Sequence, residues 1–157
     1  MKVVLLCIGG LRSEYLSVGI ADYLRRLQHY TPTELLEVQE KKSWRKLPPN
    51  ERLREEGKAI LSRLEPRDHL VLFDERGAAI SSRKFAERLE KYSLAGHKRL
   101  VLAIGGAFGF SDEVYAAAGD RLSLSSLTFN HEMVRLIALE QLYRAYSILR
   151  GEPYHND

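Results

Sequence analysis

Short apolar runs alternate along this chain with longer stretches in which apolar positions recur every three or four residues. Val3–Ile8, Glu34–Val38, His69–Phe73, Arg99–Ile104 and Arg121–Leu124 are of the first kind and read as strands, each bounded by Gly, Pro or charge. The first, third and fourth are apolar without alternation, the pattern of strands covered on both faces. Between them, Leu16, Ile20, Tyr23, Leu24 and Leu27 repeat at helical spacing, as do Leu53, Gly57, Ile60, Leu61 and Leu64. Phe85, Ala86, Leu89 and Tyr92 make a third stripe, which Gly96 is placed to stop, and Ser111 before Asp112 and Glu113 reads as a helix cap. Strand–helix alternation of this kind predicts an α/β fold: a mostly parallel sheet of five or six strands with helices on both faces, as a single domain over 1–157.

The last helical stretch departs from the one-stripe pattern. From Glu132 to Leu149, twelve of eighteen residues are apolar, while Glu132, Arg135, Glu140, Arg144 and Ser147 gather on one side. A helix this apolar has two packing partners. It is either a central core helix or one buried both on its own sheet and against a second subunit; because terminal helices of open sheets are usually peripheral, the second is expected.

Composition narrows the function by exclusion. With 45% hydrophobic and 29% charged residues the chain is an ordinary globular protein, and a length of 157 suffices for a sizeable core. The lone cysteine, Cys7, makes no intrachain disulfide and no tetrahedral zinc site, and the five histidines show no i,i+4 pairing, so no metal is expected. No apolar run approaches the ~20 residues of a membrane span, and Val3–Ile8 is shorter than a secretory signal core of about 7–15 residues, so a cytoplasmic protein is expected. Net charge is only +3, but Lys41–Arg67 carries nine basic against four acidic residues and Arg83–Arg99 six against two. Such runs are either solvated helix faces or a grip on phosphates.

Open parallel sheets bind ligands beyond the carboxyl ends of their strands, which directs attention to three loops. They are Phe73-Asp74-Glu75-Arg76-Gly77, Ile104-Gly105-Gly106-Ala107-Phe108-Gly109-Phe110, and Leu124-Ser125-Ser126-Leu127-Thr128-Phe129-Asn130-His131. The second is G-G-x-x-G, not G-x-G-x-x-G, and does not open the fold, which removes most support for a nicotinamide enzyme. The third mixes hydroxyls with Leu and Phe, suited to enclosing a flat ring whose edge the main chain reads, or else a simple connector with Asn130 as the cap of the last helix. No nucleophilic triad is present, and Cys7 inside a strand packs as a small hydrophobe.

Several spaced motifs carry a resemblance. Ile104-Gly105-Gly106 with Gly109-Phe110-Ser111, Leu122-Ser123-Leu124-Ser125-Ser126-Leu127-Thr128, His131, Glu140-Gln141-Leu142-Tyr143-Arg144-Ala145 and the ending Pro153-Tyr154-His155 resemble the ribosomal RNA large-subunit methyltransferase H family, over nearly the whole chain. The resemblance implies a SPOUT methyltransferase with a deep trefoil knot in its C-terminal half, acting as a homodimer. It also implies transfer of a methyl group from S-adenosyl-L-methionine to N3 of a pseudouridine in the helix 69 loop of 23S rRNA, on the assembled ribosome. A SPOUT enzyme for another RNA and a non-catalytic ribosome- or RNA-binding module are the alternatives, since fold does not fix function.

By position, Leu72, Phe73, Gly105, Gly106 and Leu124, Ser125, Ser126, Leu127, Thr128 and Phe129 take the cofactor-binding roles. Asn130 stands where some members of the family that the chain resembles carry Pro. A uracil-type N3 holds a proton at neutral pH, so a base or an anion-stabilising cation is needed. His155 and Arg144 are the first candidates, followed by Tyr154, His131 and Arg135, with Glu140–Arg144 also readable as a plain i,i+4 ion pair.

Overall fold

The computed structural model describes residues 1–157. Five strands, β1 (Lys2–Ile8), β2 (Thr33–Val38), β3 (Asp68–Ala79), β4 (Arg99–Ile104) and β5 (Asp120–Ser123), form one sheet in the order β2-β1-β4-β3-β5, and every neighbouring pair is parallel. The continuous apolar runs are the covered strands: Val3 to Ile8 and Leu100 to Ile104 are buried throughout. Helices α1 (Glu14–Leu27), α3 (Ser82–Leu94) and α5 (Met133–Leu149) cover one face. Helices α2 (Pro49–Leu61) and α4 (Asp112–Ala117), with a short 3-10 turn at Lys42–Lys46, cover the other. Alternate strand residues serve the two layers: Val3, Leu5 and Cys7 face the α1/α3/α5 core, whereas Val4, Leu6 and Ile8 face α2 and α4.

The local signals act as their chemistry requires. Ser81 and Ser111 accept the Lys84 and Val114 N–H groups at the starts of α3 and α4, and Gly96 (φ 77°) takes the left-handed turn after α3. The carboxyl end of β3 differs from the expected loop. After Phe73 the strand bulges and resumes at Ala78 and Ala79, pairing again with Leu122 and Ser123 of β5.

Helix α5 is not peripheral. It lies between α1 and α3, so both flanks of its apolar surface meet partners within the chain, and Ala138, Leu139, Leu142 and Ala145 are buried there. The central-core alternative thus accounts for part of the width of that surface, while Leu136 and Ile137 stay half-buried. To reach this place the chain leaves β5 at one edge and crosses the ends of β3 and β4 to arrive over β1. There Arg135 Nη2 donates to the Ile8 and Gly9 carbonyls at 3.1 and 3.0 Å, and Glu132 accepts the Ser13 N–H at 3.0 Å. This crossing segment lies in the half of the chain where the resemblance implies a knot.

Candidate active site at the carboxyl ends of the strands

The three loops named from the sequence all emerge at one end of the sheet, because all strands are parallel and β3 neighbours both β4 and β5. A cleft there is lined by Phe73, Ile80, Ser82, Phe85, Leu124 and Gln141, apolar walls with a polar rim. Leu72 points the other way, into the α2/α4 core, and offers the cleft only its main chain. In the glycine loop the chain doubles back on itself, with Gly109 N–H donating to the Gly106 carbonyl at 3.2 Å. A Cβ on Gly105 would lie 2.6 Å from the Gly109 carbonyl oxygen, so this fold of the loop requires a bare α-carbon. In the third loop Ser125 Oγ accepts the Leu127 N–H at 3.0 Å, while Ser126, Leu127 and Thr128 are exposed and Leu124 and Phe129 half-buried. Asn130 Oδ1 accepts the Glu132 N–H at 2.8 Å at the entry to α5. The cleft itself is apolar with serine hydroxyls and the Gln141 amide at its edge, and the glycine loop and the exposed Ser126–Thr128 segment leave the same end of the sheet beside it.

The C-terminal tail is folded onto the same region. The Glu152 N–H donates to the Ser147 carbonyl at 2.9 Å, turning the chain back over α5 after Gly151. The Tyr154 ring then packs edge-on against Tyr143 (4.8 Å), and its hydroxyl lies 3.0 Å from Tyr23 Oη and 3.1 Å from Glu140 Oε1. Burial, and then the Tyr23 contact, hold the Tyr154 phenol protonated well above its ordinary range.

Arg144 sits at the centre of this cluster. It donates from Nη2 to Glu140 Oε1 at 2.5 Å, stacks its guanidinium 4.7 Å from the Tyr154 ring centroid, and places Nη1 3.3 Å from His155 Nδ1. The hydrogen bond with Glu140 raises the Arg144 pKa further, so the cation is permanent. Because arginine only donates, His155 Nδ1 is the acceptor, which assigns the proton to Nε2, facing Asp157 Oδ1 at 3.0 Å. Asp157 is in turn held by Arg83, whose neighbour Ser82 donates to Gln141 at 2.7 Å on the cleft wall. The cluster and the cleft therefore share the start of α3 and the middle of α5.

Two of the five candidate catalytic side chains lie elsewhere. Arg135 is 1% exposed and spends its donors on Ile8, Gly9, Glu37 and the His131 carbonyl. Nine residues before Arg144, it is about 13 Å away along the helix and half a turn round it. His131 is exposed at the entry to α5. Conversely, Tyr23, Arg83 and Asp157 complete the cluster; along the chain Tyr23 reads only as part of a helix stripe and Arg83 as one of a basic run, and nothing marks any of the three as a site residue. Burial pushes the Cys7 thiol up to about 12, which leaves it inert.

This arrangement, an all-parallel sheet with three loops at one end and a folded tail beside them, is that of a known class. The family model described as "Predicted SPOUT methyltransferase" matches residues 1–155. Over their full lengths, the chain is 43% identical to ribosomal RNA large subunit methyltransferase H of Parabacteroides distasonis and 44% identical to that of Porphyromonas gingivalis. It is 46% identical to the Cytophaga hutchinsonii protein of the same name, which it covers entirely over 99% of its own length. The chain belongs to the SPOUT methyltransferases, in the ribosomal RNA large subunit methyltransferase H family. The fold alone is shared with a probable methylase family protein from Haemophilus influenzae, at a TM-score of 0.51 and 15% identity over 99% of this chain and 70% of that one.

Proposed function

We propose that this protein transfers the methyl group of S-adenosyl-L-methionine to N3 of a pseudouridine in the helix 69 loop of 23S rRNA, on the assembled ribosome. The observation that carries the reading is the Arg144–His155 contact, 3.3 Å long, beside the strand-end cleft. The cofactor supplies an electrophilic methyl carbon when bound. Phe73, Gly105, Gly106 and the segment Leu124–Phe129 enclose it, with Leu72 contributing main chain. The protein's remaining tasks are to align the target nitrogen and to handle its proton.

His155 is placed for the second task. In the present arrangement Nδ1 is occupied by Arg144, so accepting the N3 proton there requires Arg144 to turn away, toward the negative charge that develops on the base. Asp157, on the opposite ring nitrogen, then faces an imidazolium and stabilises it. Tyr154 fixes Arg144 from its stacked face and keeps its own proton. Arg135 serves the fold, through β1, and His131 remains available at the rim of the third loop.

The expected assembly is a homodimer in the cytoplasm, with the knot that the family implies. Tyr15 (70% exposed) and Val18 (68% exposed) on α1, beside half-buried Leu136 and Ile137 of α5, form the apolar surface a second copy would cover. No helix is long and apolar enough to cross a membrane. Lys41, Lys42, Arg45 and Lys46 are exposed around buried Trp44 and suit ribosomal phosphates. A subunit this small covers little RNA by itself, which is why the ribosome and not free RNA is the expected substrate. The test is a nucleoside digest of 23S rRNA from cells lacking this protein. Absence of 3-methylpseudouridine, restored by the wild-type gene, is expected; its persistence overturns the reading.

A further inference from the structure

Helix α2 comes up beneath the glycine loop and touches it near both ends. Gly57 lies so close to Ser111, just past the loop, that a Cβ there would stand 2.3 Å from the serine Oγ. The missing side chain is what permits this approach. One residue earlier, Glu56 is 2% exposed, and its carboxylate lies under Gly106, with Oε2 2.6 Å from where a Cβ would be.

Only half of that carboxylate is accounted for. Arg52 Nε donates to Oε1 at 2.9 Å, and Arg52 is itself anchored by Glu40. Oε2 is buried and accepts nothing. An interior acceptor without a donor is costly and calls for a reason. The loop above it has donors to give, since the main-chain N–H groups of Ala107 and Phe108 have no partner within the chain.

We infer that Glu56 is a positioning residue for the methyl-donor loop: its free Oε2 accepts a main-chain N–H from Gly106–Phe108 that turns inward when S-adenosyl-L-methionine seats against the loop. This rests on the cofactor reading above. Glu56 touches neither the donor nor the base and acts through the loop, while Arg52 occupies only the other oxygen, Oε1. Phe108, an exposed ring at the loop tip with the Arg52 guanidinium 5.7 Å from its centroid, rides on the same movement.

The experiment is calorimetric titration of S-adenosyl-L-methionine into the wild-type protein, Glu56→Gln and Arg52→Gln, with Tm and amide hydrogen exchange of residues 105–110 measured for each. Glu56→Gln keeps the shape, but with its oxygen on Arg52 it presents an NH2 donor to the loop, the wrong polarity. Its Kd should rise by about tenfold or more, the loss of one hydrogen bond to a charged group. Donor-induced protection of the loop amides should vanish with it. Arg52→Gln should bind within about threefold of wild type, well below a single hydrogen bond's worth. Glu56→Asp, which keeps the charge for Arg52 but withdraws the second oxygen, makes the same comparison if Glu56→Gln does not fold. An unchanged Kd in Glu56→Gln, or equal losses in the two variants, would reduce Glu56 to a structural partner of Arg52 and overturn the inference. Wild-type protein that binds no S-adenosyl-L-methionine overturns the cofactor reading itself, and the inference with it.

Discussion

The two ends of the sheet are built in opposite ways. At the amino ends of the strands, charged side chains staple neighbouring elements. Arg99 donates to Asp68 at 2.9 and 2.6 Å, reaches the Arg63 carbonyl at 3.0 Å and pairs with Glu65 at 3.0 Å. Asp120 is held by Arg88, by Tyr92 at 2.5 Å and by the Arg121 N–H at 2.8 Å. Burial, the largest single influence, would raise the Asp68 carboxyl; the Arg99 hydrogen bonds, the Glu65 N–H and the charges of Arg99 and Lys98 together outweigh it and hold the group below its ordinary range. At the carboxyl ends, the β1–β2 half is pinned by Arg135 and Glu37, but the β3–β4–β5 half is left open. There Leu127 is 74% exposed and Phe108 48%, and the loops are held mainly by bonds within themselves. Ion pairs are thus concentrated at the amino ends, and exposed apolar loop tips at the carboxyl ends of β3, β4 and β5, where the ligand is proposed to enter.

If that division is real, substitutions at the two ends should fail in different assays. The largest effect is expected for Gly105→Val. Its side chain has no room against the Gly109 carbonyl, so titration should detect no S-adenosyl-L-methionine binding while circular dichroism still reports a folded protein. Next is His155→Ala, or deletion of Pro153–Asp157. Loss of a positioned general base costs about a hundredfold or more in turnover, so methylation of ribosomes should fall by that order with cofactor affinity nearly unchanged. Full turnover by the truncated protein would move the base to His131 or into the RNA.

At the opposite end, Asp68→Ala leaves Arg99 buried without its main partner, with side-chain exposures of 3% and 11% in the intact pair. Breaking a buried pair costs about 3 kcal/mol, roughly 6–12 °C in Tm for a chain of this size. Cofactor affinity should be unchanged, and a loss of binding here would show that the two ends are coupled.

The smallest effect is a pH dependence. His69 stacks on His97 with centroids 4.5 Å apart, and its Nε2 is buried without a partner. Burial, then His97, lower its pKa from the ordinary 6.5, against a weaker opposing pull from Asp120. Below that value the unfolded chain therefore binds the proton more readily than the folded one, so stability falls as pH drops through 6.5 toward the folded value. Tm should decline by a few degrees between about pH 7.5 and pH 5.5. His69→Gln should flatten that slope, and an unchanged slope would assign it to other groups.

Much of this architecture is readable from local pattern alone. Continuous apolar runs such as Val3–Ile8 and Arg99–Ile104 imply strands covered twice, three- and four-residue spacing implies one buried helix face, and Ser111 and Gly96 mark helix ends through their own chemistry. The three strand-end loops follow as the place to look, because parallel strands all end on the same side. The same local reading fails for Arg135, a charge on a helix face that pattern assigns to solvent or catalysis. It is buried because α5 happens to cross the end of β1, 127 residues away in sequence. It fails equally for Trp44, buried inside a basic run, for Glu56, one acid among several on α2, and for Tyr23, Arg83 and Asp157, which gather around Arg144 from three separate elements. The amino-acid order determines each element and its buried side through periods of two to four residues. Which elements become neighbours is set by the strand order and by the return of α5 to the middle of its layer, and those depend on the packing of the whole core at once.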